Sequence, residues 1–173
     1  MKMIKKIELW LNIFHYCLYK AEYKRHMFTN KLNPFVLLGR LPVVKRKFEE
    51  QGTTLLDTTN KIWTDKRFGF GIMISGAGLV IFLFLIILSI FDISNGILKH
   101  PINFSWQPFV ICILLAYLIC HYLVFIGDKY IKYFKKFDKW TRKEKWKYSL
   151  LSLAIIIAVI ALFIYSFRFL PKL

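Results

Sequence analysis

The chain has 173 residues, 57% of them hydrophobic and 18% aromatic, and its 26 Lys and Arg against 10 Asp and Glu give a formal charge of +16. A mean hydropathy of +0.46, with the apolar residues gathered in blocks, excludes an ordinary soluble domain and places the chain in the integral membrane class. Three cysteines, Cys17, Cys112 and Cys120, form neither a disulfide framework nor a CxxC metal motif and are expected as reduced thiols.

In a soluble domain so much positive charge would suggest nucleic acid. Here the basic residues flank long apolar blocks, as they do where a chain faces anionic lipid headgroups. The abundant Lys, Ile, Phe, Tyr and Asn share A/T-rich codons, so base composition contributes to the lysine count independently of binding.

Residues 1–67 read as a basic, helical region on the cytoplasmic face. In its first part Ile4, Ile7, Leu11, Phe14 and Leu18 recur at spacings of three and four, with Glu8, Asn12, His15 and Glu22 on another face. Lys2, Lys5, Lys6, Lys20, Lys24 and Arg25 surround this amphipathic helix. The pattern suits a helix lying on the inner leaflet, anchored by Trp10, or one packed on the protein's own bundle or on a partner. Asn33-Pro34 ends it, and the apolar stretch from Pro34 to Val44, too short to span a bilayer, is either a segment at the headgroups or the bundle's cytoplasmic end with Arg40 reaching a phosphate, or a buried connection. Two short helices are expected next, one ending at Gly52 and one capped by Thr53 or Thr54.

Residues 68–170 are predicted to form a bundle of three transmembrane helices, 68–91, 108–127 and 149–170, giving an all-α fold. The first connection, from Asp92 to Gln107, carries Lys99 as its one basic residue, whereas the second, residues 128–148, carries nine. By the positive-inside rule the second loop and the N-terminal region are cytoplasmic, and the first loop and the C-terminus lie outside. Within that loop Tyr130, Phe134, Phe137 and Thr141 fall at helical spacing, so the second span is expected to continue as a basic, aromatic helix. Lys135, Lys136, Trp140 and Trp146 suit interfacial anchoring. The same strip could stack single-stranded nucleic acid, a reading disfavoured by the membrane that these rings have beside them.

Small residues give each span a candidate packing face: Gly71, Ser75 and Gly78 in the first, Cys112, Ala116 and Cys120 in the second, and Ala154, Ala158 and Ala161 in the third. These faces fit one intramolecular bundle, a homo-oligomer, or docking against another membrane subunit. His121 is the ionisable group set well inside a span, with Tyr117 one turn and Asp128 two turns away. It is either a gating or proton-linked group or a histidine hydrogen-bonded to a neighbouring helix. Cys112, Cys120 and His121 do not make a metal site, because the two thiols lie roughly 12 Å apart by helix rise.

Enzyme chemistry has no sequence support: Glu49, Glu50, Asp57 and Asp65 come without a partner histidine, a phosphate loop, HExxH or GxSxG. No cofactor is implied. The expectation is a non-catalytic membrane subunit or accessory protein that contacts anionic lipids, set in a bacterial inner membrane. The alternative is a self-assembling small pore, a membrane effector, or the immunity protein against one.

Overall fold

A computed structural model describes residues 2–30, 33–98 and 106–169. Eight α-helices follow in order among them: α1 (Lys2–Thr29), α2 (Pro34–Leu38), α3 (Pro42–Glu50), α4 (Leu55–Thr64), α5 (Phe70–Leu98), α6 (Trp106–Cys120), α7 (Lys129–Asp138) and α8 (Arg142–Ser166). A π turn (His121–Phe125) and a 3-10 turn (Ile126–Asp128) join α6 to α7, and a 3-10 turn (Phe167–Phe169) follows α8. The fold is all-α, with no strand among the described residues. Three stretches, Phe70–Leu98, Trp106–Asp138 and Arg142–Phe169, are long and apolar enough to cross a membrane. Lys99 of the first connection, Leu170 at the end of the third expected span, and the C-terminal residues 171–173 lie outside the described residues.

The chain divides into two compact units, residues 1–17 with 77–173, and residues 18–76. The first unit holds the start of α1, most of α5 and all of α6 to α8. Its core is apolar and close-packed, with Leu79, Ala116, Cys120, Val124 and Phe134 fully buried. α8 starts at a capping box in which Thr141 Oγ1 accepts from Glu144 N while the Glu144 carboxylate accepts from Thr141 N at 2.8 Å, satisfying two otherwise orphaned donors.

α5 runs past the expected end at Phe91 to Leu98, so Asp92, expected to open a loop, is a helical and buried residue. The extension is held by packing against the 3-10 turn after α8: a Cβ built at Gly96 would lie 2.5 Å from Phe169 Cβ, a closeness that only glycine permits.

The second apolar block does not continue straight into α7. Gly127 (φ 63°) and Asp128 (φ 54°) are both left-handed, a conformation free of penalty for glycine and tolerated by aspartate, and they break the helix after the π turn. The break frees carbonyls, and side chains satisfy them. Lys129 Nζ donates to Tyr122 O at 2.8 Å, and Asn12 Nδ2, from α1, donates to Leu123 O at 3.2 Å.

α1 departs from the amphipathic reading. Residues 11–17 are buried on every side, whereas Ile4 and Ile7 are exposed. Both faces find partners: Phe14 packs on Phe82 with ring centroids 4.2 Å apart, and the polar face, Asn12 and His15, turns onto the α6–α7 corner. A helix covered on both sides has no water face to keep its polar residues on, so they are hydrogen-bonded or enclosed instead.

The second unit contains the rest of α1, α2 to α4 and the first turns of α5. The helix ending near Gly52 (φ 66°) is α3, and α4 is capped by Thr54, whose Oγ1 accepts from Asp57 N at 3.1 Å. Asp65 accepts from the backbone N–H groups of Phe68 and Arg67, which hold its carboxyl below the usual range. Tyr19 donates to Thr64 O at 2.8 Å, and the His26 ring stacks on Trp63 at 4.4 Å.

Candidate functional site

The first unit concentrates its buried polar chemistry where α1 meets α7. Three consecutive turns of α1 carry Glu8, Asn12, and the pair His15 and Tyr16 towards that corner, as the helical repeat dictates. Glu8 accepts from Tyr133 Oη at 3.0 Å and lies 3.7 Å from Lys129 Nζ. Asn12, fully buried, bridges Glu8 O and Leu123 O through Nδ2, while its Oδ1 has no partner among the described residues. Tyr16 donates to Asp138 Oδ1 at 3.0 Å; burial first, then the Asp138 carboxylate, pushes its hydroxyl above the usual range.

His15 sits at the centre, fully buried among the rings of Phe125, Tyr130 and Phe134 at 5.7, 5.6 and 5.2 Å. Desolvation lowers its pKa to about 3, so the imidazole is neutral at physiological pH. An aromatic ladder continues from here: Phe137 stacks on Trp140 at 4.3 Å and Trp140 on Tyr148 at 4.4 Å, with Trp10 edge-on to Tyr148 at 6.3 Å. The arrangement locks α1 to α7 and to the start of α8. The imidazole itself is enclosed and neutral.

The candidates named from the sequence lie elsewhere. His121 opens the π turn half-buried and stacks on Tyr117 at 5.9 Å, and Tyr117 is 50% exposed, so this pair faces outwards rather than into the bundle. Asp128 is half-buried at the helix break, with a left-handed backbone. Cys112, Ala116 and Cys120 are buried along one face of α6. Gly71 and Ser75 are also buried, Gly71 against the end of α4, where a Cβ would meet Trp63 O at 2.9 Å, and Gly78 is half-buried.

Ala154, Ala158 and Ala161 are exposed. The buried face of α8 is instead Ser152, Val159 and Ser166, one residue every seven. Small side chains alone do not decide which stripe of an apolar helix turns inward; here the hydroxyls take the inner positions, where hydrogen bonds are available.

Of the expected anchors, Trp146, Arg40, Lys135 and Lys136 are exposed, Trp10 is about half exposed, and Trp140 is drawn into the aromatic ladder. Arg40 stands at the rim of an open groove of about 310 Å³ lined also by Lys45, Phe48, Glu49 and Leu55. In the same unit Asn60 Oδ1 accepts from Asn30 Nδ2 at 2.8 Å and lies 3.1 Å from His26 Nε2, which therefore carries the hydrogen. Among the described residues no group of three His, Cys, Asp or Glu side chains could hold a metal ion.

The sequence places Asn12 and His15 on a second face of α1 without singling them out, and the one usable signal is their spacing of three within the apolar run around them. No family model, no curated protein and no solved structure matches the chain.

Proposed function

We propose that this chain is a non-catalytic, bilayer-embedded accessory subunit whose outward apolar helices dock other membrane chains. The observation that carries the reading is the bareness of α8: only 17% of its most apolar window is buried within the chain. Its outward face presents Ala154, Ala158 and Ala161 among Ile157, Ile160 and Ile164, a surface suited to lipid tails or to a closely approaching helix, from a second copy or another subunit.

The exposed Lys132, Lys135, Lys136 and Lys139 of α7 favour anionic phospholipid at the basic end. With the lysines of residues 1–67 they orient the N-terminus to the cytoplasm and the C-terminus to the outside, in a bacterial inner membrane. Their neighbouring rings Tyr130, Phe134 and Phe137 are buried, which weighs against a stacking platform for nucleic acid on α7.

A second reading, a self-assembling pore, draws on the outward pair of Tyr117 and His121, which could line a path only where several copies meet. Mass determination of the detergent-purified protein, with co-purifying chains identified, separates the two. A defined complex with another membrane protein supports the subunit reading. A homogeneous ring of identical chains overturns it in favour of the pore, and a stable monomer removes both.

A further inference from the structure

The far ends of α5 and α8 hold a carboxyl that no other part of the molecule explains. Asp92 is 7% exposed, on an otherwise apolar helix, with the fully buried Ser89 one turn before it. Its Oδ2 lies 3.4 Å from Ser166 Oγ of α8. Among the described residues no cation pairs with it: Arg168, in the 3-10 turn after α8, lies over the Tyr165 ring at 5.6 Å, and α6 contributes the buried thiol of Cys112.

The hydrogens around this carboxyl can be counted. A hydroxyl has one proton to give. Ser166 Oγ sits 2.7 Å from Phe163 O, a nearer acceptor than Asp92 Oδ2 at 3.4 Å, and Ser89 Oγ sits 2.7 Å from Leu85 O, so each serine donates most closely within its own helix. That leaves lone pairs on Ser166 facing Asp92. A carboxylate there has a single hydroxyl to call on, 3.4 Å away and only by drawing its proton from Phe163 O at 2.7 Å, beside the negative end of the α8 dipole. A carboxylic acid instead donates its own hydrogen to Ser166 Oγ and leaves no charge in the apolar surroundings.

We propose that Asp92 is a proton-binding site of the bundle, a carboxylic acid at neutral pH that donates to Ser166 Oγ and ties α5 to α8. Its ligand is the proton, exchanged with water at the ends of the helices. Loss of that proton to hydroxide places a carboxylate against Ser166 Oγ and the α8 carbonyls and separates the two helix ends. The inference rests on the packing of α5 against α8, whichever partner α8 takes.

Infrared spectroscopy of the full chain in phosphatidylcholine bilayers tests it. At neutral pH the spectrum of the native protein contains a protonated-carboxyl C=O band that disappears in Asp92→Asn and on strong alkalinisation. In Ser166→Ala the band persists but moves to higher frequency, because the acid loses its acceptor. Identical spectra in this region for the native protein and Asp92→Asn overturn the proposal. So does a band that Ser166→Ala leaves unmoved, an arm that remains decisive should Asp92→Asn fail to fold.

Discussion

Acidification should loosen α1 through a single residue, His15. The unfolded chain takes up its imidazole proton near pH 6.5, whereas the folded protein resists until about 3, because burial beside Phe125, Tyr130 and Phe134 strips the charged ring of water. The unfolded state therefore binds more protons throughout that interval. Stability is complete above 6.5 and is lost as the pH falls towards 3. Between pH 7 and pH 5 the loss is about 2 kcal/mol, from the ratio of proton uptake in the two states. Replacing His15 with Leu removes the titrating group while keeping an apolar side chain among the rings, so the variant lacks this component of the slope. The assay is urea or thermal unfolding in one detergent at a series of pH values, for native protein and His15→Leu side by side. Equal pH slopes in the two proteins refute the reasoning.

Two further outcomes follow from the packing. Asn12→Asp places an acceptor against Leu123 O and a charge in a fully buried position, so it lowers stability by about 3 kcal/mol, whereas Asn12→Leu, which also removes the unpartnered Oδ1, costs about 1 kcal/mol; an inverted order in unfolding experiments contradicts the assignment of Nδ2 to Leu123. Gly96→Ala forces its new methyl group onto Phe169 and lowers stability by about 1–3 kcal/mol; an unchanged unfolding midpoint shows that the two chain segments do not approach as described.

The long apolar helices were legible because length and the absence of charge are properties of a segment by itself. α5 shows where that ends: Asp92 looked like the edge of the apolar block, yet a carboxyl can stay within a helix when another helix encloses it, and the enclosing Ser166 is 74 residues away. α1 is a similar case. Its periodicity is that of a helix with one apolar face, and the second face became internal only because the α6–α7 corner, 111 residues further on, supplies a carbonyl for Asn12. In α8 the sequence offered two candidate inner stripes, the alanines and the widely spaced serines, and which one turns inward depends on neighbours that no local pattern contains. Gly127 was a visible breaker at the end of the expected span, but the left-handed Asp128 beside it, which completes the corner, carries no sequence signature of its own.

The separation between α1 and its partners also sets an order of events during synthesis. Tyr16 cannot meet Asp138 until 122 more residues have been added, which at about 5–20 residues per second takes on the order of 6–24 s. Over that interval the ribosome displays a helix with a wide apolar surface and with Asn12 and His15 still hydrated, while the first two apolar segments are already leaving the exit tunnel. Closure of α1 is thus among the last steps of folding and the one with the longest loop to close. Until it occurs, the carbonyl of Leu123 awaits the donor that Asn12 provides in the finished protein. An element made early and seated late stays exposed longest, so slowed translation between Asn12 and Leu123 lengthens the interval before α1 is enclosed.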